Sequence, residues 1–169
     1  MTDTTLTPSR LWKRMTTAQR LHAASALWRD EEAKADQMQA AQLIAKQWKF
    51  RPKTVQGLDA ERKARHLAGV AEVPDTLAAR LLILYHLAEQ RPMMAAFLDA
   101  VGIAHDNGLI EADAVTPDPE KVAAGAAAIA KTYPAEDVTL YLNTLLWQDP
   151  ASWGGLETVP ELSKRDDAT

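Results

Sequence analysis

The chain has 169 residues, a formal net charge of -4 and a pI near 5.6. At 47% hydrophobic and 25% charged residues it has the composition of a folded globular protein. Apolar runs such as Leu81 to Tyr85 are far short of the ~20 residues that span a bilayer, and the absence of cysteine excludes disulfides, thiolate metal sites and thiol nucleophiles.

Thirty-one alanines against seven glycines favour helix throughout, and no stretch alternates apolar and polar residues as a half-buried strand does. Thr7-Pro8 opens a helix over 8–15. Thr16 and Gln19 have the spacing of a capping box and open a second over 17–29. Leu11, Met15, Ala18, Leu21, Ser25 and Trp28 stay in helical phase, so these two segments are able to run on as one. Asp30 caps 31–49, a short piece follows near 52–58, and Asp59 caps 60–70. Asp75 caps 76–90, in which only Arg80 and His86 are strongly polar. A helix apolar all round belongs at a centre, and its His86 is expected to be a neutral core histidine bonded to a carbonyl.

Pro92 opens 92–101, whose inner face is Met93, Met94, Phe97, Leu98 and Val101. The two methionines beside His86 read as core fillers rather than haem ligands. Asn107-Gly108 marks a turn. Asp118-Pro119 opens the alanine-rich 119–132, and Pro134 opens 134–147. Trp153, Leu156 and Val159 predict that the following segment docks as an irregular strap. The expectation is an all-α, irregular up-down bundle of about seven or eight helices in one domain, residues 1–169, with disordered ends at 1–6 and 163–169. No basic–apolar–small-residue leader opens the sequence, so a cytoplasmic protein with no membrane partner is expected.

Charge is unevenly spread. Residues 1–92 carry 15 Lys/Arg and 10 Asp/Glu, a net of +5, whereas residues 93–169 carry 4 and 13, a net of -9. Such halves pack against each other or pair between copies of the chain. Self-association as a homodimer is expected, with some of Trp12, Trp28, Trp147 and Trp153 as anchors.

Two stretches suggest chemistry. The first is basic: Lys46, Lys49, Arg51 and Lys53, followed by Arg62, Lys63 and Arg65, with Trp48 and Phe50 interleaved. Cations contact phosphates and aromatics stack on bases. The run Ile44-Ala45, Trp48, Phe50 and Pro52-Lys53-Thr54-Val55 also resembles the turn of LuxR-type helix-turn-helix domains. That resemblance implies a recognition helix from Pro52 with Lys53, Thr54, Gln56 and Arg62 facing DNA. The residues after Val55 depart from it. A recognition helix needs apolar residues four and seven positions on, where this chain has Asp59 and Arg62, and Gly57 falls inside the supposed helix. A break at 57–58 and a fresh helix at Asp59 are predicted, with Trp48 and Phe50 turned into the core.

The second stretch is His105-Asp106-Asn107-Gly108 with Glu111 and Asp113, whose donors suit a cation or acid–base work if they converge, with Arg91 close by in sequence. A polar turn accounts for the same residues. No HxxxH or ExxH pair, nucleophile elbow, phosphate loop, dinucleotide fingerprint or EF-hand loop occurs, and no cofactor is implied. The reading that follows is a non-enzymatic protein-interaction or regulatory domain. Nucleic-acid binding through 46–65 is the alternative, and a small-ligand or metal-dependent enzyme using the His105 loop the second.

Overall fold

A computed structural model describes residues 7–162. Among them the protein is all-α apart from one two-residue ribbon, and the helices fall into two compact units, residues 7–89 and 90–162.

The first unit comprises α1 (Pro8–Arg14), α2 (Thr17–Arg29), α3 (Lys34–Trp48), α4 (Pro52–Gln56), α5 (Ala60–Ala68) and α6 (Asp75–Glu89). α1 and α2 are separate helices, although their apolar residues share a phase. Met15 and Thr16 are extended, with ψ of 146° and 161°. The Thr16 hydroxyl accepts from the Gln19 N–H at 3.0 Å, and the Gln19 amide oxygen accepts from the Thr16 N–H at 2.8 Å. This reciprocal cap satisfies two donors that a continuous helix would pair along its axis, and it decides the break. α3 starts at Lys34, later than 31, because Asp30 makes a turn instead of a cap. Its carboxylate takes the Glu32 N–H at 3.0 Å and meets Arg80 at 3.2 Å. Asp75 is the first residue of α6, and its carboxylate accepts the Ser9 N–H at 3.0 Å.

α2 packs most extensively on α5 and α6, and α1 lies on α6. Leu77, Ala78, Leu81 and Leu82 of α6 are fully buried, with Tyr85 and His86 nearly so. His86 Nδ1 lies 2.8 Å from the Leu82 carbonyl oxygen, the core role its sequence position predicts. Trp12 is fully buried and donates its indole N–H to the Val70 carbonyl at 2.7 Å. Arg20 lies over the Trp12 ring and donates to the carbonyls of Trp12 and Lys13 at 3.0 and 2.7 Å.

The second unit comprises α7 (Arg91–Val101), β1 (His105–Asp106), β2 (Leu109–Ile110), α8 (Pro119–Thr132), α9 (Ala135–Gln148) and α10 (Pro150–Trp153), followed by 3-10 turns at Gly154–Thr158 and Pro160–Leu162. α7 packs on α8. The approach is close at Gly125, where an added Cβ would lie 3.2 Å from Val101 and 3.3 Å from Phe97. β1 and β2 pair antiparallel, His105 opposite Ile110 and Asp106 opposite Leu109. Asn107 and Gly108 between them have φ of 48° and 92°, both in the left-handed region that a two-residue hairpin turn demands. The final segment does dock as a strap, with Trp153, Leu156 and Val159 buried. The Thr139 hydroxyl donates to the Glu161 carbonyl at 2.9 Å, and the Asn143 amide to Leu162 at 3.1 Å.

The ten helices among the described residues exceed the seven or eight expected, chiefly because α1 and α2 are separate and α10 is added after Asp149. That carboxylate caps α10 by accepting the Ser152 N–H at 3.2 Å, and its hydrogen bonds with Ser152 hold it below the usual carboxylate range. The ends at 1–6 and 163–169, expected to be disordered, lie outside the described residues.

Candidate interaction surface

The basic stretch forms a corner where α3 gives way to α4. Ile44, buried on α3, and Val55, buried on α4, hold the two helices to their unit. Lys49 ends α3 in the left-handed conformation with φ 56°, and the N–H groups of Lys49 and Phe50 both return to the Ala45 carbonyl. Capping of this kind usually employs glycine. Here it is made by a lysine, whose side chain stays exposed.

Trp48 and Phe50 turn inward. They meet the His66 ring edge-on at centroid distances of 4.9 and 5.4 Å, and Trp48 also covers Gly69, where an added Cβ would lie 3.1 Å from its ring. Both aromatics are half-buried. They form the underside of the corner, short of the full core burial expected for them.

The seven basic residues separate into two groups. Lys46, Lys49, Arg51 and Lys53 are exposed, and none of them has an ion-pair partner among the described residues. No acidic residue occurs in sequence between Asp36 and Asp59. The other three lie on α5 and are engaged there. Arg65 Nη2 is 2.6 Å from Glu61, Arg62 Nε is 3.9 Å from Asp59, and the Lys63 ammonium lies 5.2 Å from the Trp28 ring centroid. α4 is only five residues long and stops at Gly57; Asp59 then caps α5 by accepting the Arg62 N–H at 2.8 Å. The break at 57–58 is where the residues predict it. The long recognition helix implied by the LuxR-type resemblance does not form.

In the second unit His105 is engaged on both ring nitrogens. Nε2 lies 2.7 Å from an Asp99 carboxylate oxygen, and Nδ1 accepts the Gly108 N–H at 3.0 Å. The ring therefore ties the hairpin to α7. Asp99 is the partner that sequence reading missed. It lies six residues away across the left-handed Gly102, φ 83°, where no helical or strand periodicity connects the two. Asp106, Glu111 and Asp113 are exposed. No group of three or more His, Asp or Glu side chains close enough to hold a metal ion occurs among the described residues. Arg91 donates to the Asn107 carbonyl at 3.1 Å. A shallow hollow in the first unit has Glu72 and Asp75 on its rim, already engaged by Lys13 and the Ser9 N–H.

Charge follows the division into units. Residues 7–89 hold fourteen Lys/Arg and nine Asp/Glu, a net of +5; residues 90–162 hold three and eleven, a net of -8. The acidic character is densest over 92–120, which contains six Asp/Glu and no Lys or Arg. Leu109, inside that run, is 43% exposed. Of the tryptophans suggested as contact anchors, Trp12 and Trp153 are buried in their units, and Trp28 and Trp147 are half-buried. No helix is long and apolar enough to cross a membrane among the described residues. No protein family, curated protein or solved structure matches the chain.

Proposed function

We propose that the chain is a non-enzymatic interaction domain that binds an acidic protein surface through the corner formed by Lys46, Lys49, Arg51 and Lys53. The observation that supports it is the uncompensated exposure of four cations within eight residues, beside three more that the unit engages internally. Exposed like charges repel one another, so a surface of this kind is relieved when a partner brings opposite charge.

Nucleic acid is the second reading, because the same cations suit phosphates. Single-strand binding gains much of its strength from aromatics stacked on bases. Trp48 and Phe50 each pack on His66 and are half-buried, which leaves less of each ring open to a base.

Fluorescence anisotropy of a labelled polyglutamate peptide and of labelled duplex DNA, at about 50 and 300 mM salt, tests this reading. The peptide is expected to bind at low salt and to be lost with Lys46→Glu/Lys49→Glu/Lys53→Glu. Binding of DNA without binding of the peptide would transfer the function to the second reading. Binding of neither would remove the corner from both.

A further inference from the structure

Resting on the proposed role of the basic corner, we infer that its acidic partner is a second copy of this chain, presenting the 92–120 segment around the β1–β2 hairpin.

The two surfaces are complementary in composition and in exposure. The corner lies within residues 37–58, which hold four Lys/Arg and no Asp/Glu; residues 92–120 hold six Asp/Glu and no Lys/Arg. Asp106, Glu111 and Asp113 are exposed, as are all four cations of the corner. Asp99 is already bound to His105, and Asp118 accepts the Glu120 N–H at 2.9 Å to cap α8. Asp106, Glu111 and Asp113, with Glu120 in the first turn of α8, thus supply the carboxylates least committed to their own unit. Leu109 adds an exposed apolar side chain among them, on a hairpin held in place by the His105 ring. Charge around an apolar contact is the arrangement that steers association while limiting the cost of desolvation.

The two complementary surfaces are carried by every copy. A two-fold pair therefore makes the contact twice, and closed two-fold dimers are the commonest oligomers of soluble chains. An unrelated acidic protein would make it once. The reciprocity is what favours a second copy as occupant.

Sedimentation equilibrium of the full chain at ~100 μM tests the inference, first at low salt and then at about 0.5 M, where the Debye length falls to a few ångströms. The expected low-salt mass is twice 18.6 kDa, falling toward 18.6 kDa at high salt. Two variants carry reversed charge, Lys46→Glu/Lys49→Glu/Arg51→Glu/Lys53→Glu on the corner and Asp106→Lys/Glu111→Lys/Asp113→Lys on the hairpin segment. Each alone should sediment as a monomer with unchanged circular dichroism. Mixed in equal amounts they should regain the dimer mass, because both contacts are again of opposite sign. A wild-type chain that stays at 18.6 kDa at low salt, or reversal variants that keep the dimer mass on their own, would overturn the inference. The polyglutamate assay separates the two levels. A monomeric chain that still binds the peptide loses only the second copy as partner; one that does neither loses the corner as well.

Discussion

Trp12 shows what one side chain decides. Its indole N–H is the donor to the buried Val70 carbonyl, 58 residues away, and its ring supports the Arg20 guanidinium. Trp12→Phe keeps most of the apolar volume but leaves that carbonyl without its indole donor. A loss of ~1–3 kcal/mol in urea unfolding is expected; a loss under ~0.5 kcal/mol would show that the bond contributes little. Gly108 is constrained differently. At φ 92° an added Cβ would lie 2.9 Å from Met94 Cβ and 3.3 Å from the Arg91 carbonyl oxygen. Gly108→Ala should cost at least ~1 kcal/mol and weaken the hairpin signals in NMR spectra, whereas an unchanged spectrum would mean that the turn relaxes freely. Tyr141 supplies a pH dependence, since burial pushes its phenol above the ordinary value. The unfolded chain then releases this proton first as pH rises. The contribution to stability is complete below ~10 and falls above it, so Tyr141→Phe should lessen the alkaline loss of stability seen in denaturant titrations. His86 was readable from its place in an apolar helix. The Asp99–His105 pair was not, because a left-handed glycine stands between them and side-chain periodicity ends there.

At the scale of elements, α6 organises the first unit because both its faces meet helices. Leu82 is fully buried, and Leu82→Ala should cost ~2–5 kcal/mol, the range for emptying a leucine site in a packed core. A change under ~1 kcal/mol in equilibrium unfolding would show that the site collapses around the deletion. Caps were the legible part of the element pattern. Thr7, Thr16, Asp59 and Asp118 all mark helix starts with side-chain bonds to the first turn. The same signature at Asp149-Pro150 marks α10, a helix too short to show a period. The two-residue strands were illegible for that reason also, although the turn that joins them was plain in Asn107-Gly108. Between α1 and α2, phase argued for continuity and the capping box for a break. The cap prevailed because it supplies specific hydrogen bonds, while phase only permits continuity.

At the scale of the molecule, the all-α single-domain expectation fits, and the helices gather into two compact units. Only Gln90 separates α6 from α7, so there is no linker composition for a sequence reading to detect. The charge halves, by contrast, were legible, and their division at 92–93 falls close to the unit division at 89–90. Which basic residues remain uncompensated was beyond the sequence, because that depends on where Glu61, Asp59 and Trp28 lie. Local charge outweighs the mean for a surface contact. The protein, although acidic overall, should be retained by a cation-exchange resin at pH 7 and low salt when loaded dilute enough to be monomeric, so that no second copy covers the corner, and Lys46→Glu/Lys49→Glu/Arg51→Glu/Lys53→Glu should pass through. Passage of the wild-type chain would mean that the corner is masked.

The bond from Trp12 to Val70 also has a consequence in time. Synthesis proceeds at ~5–20 residues per second, so about 3–12 s separate the making of the tryptophan from the making of its acceptor, 58 residues later. α6, on which α1 lies, follows later still. During that interval Leu11, Trp12 and Met15 are an apolar stripe awaiting its cover. α1 is thus the first of the described helices of its unit to be made and among the last able to dock.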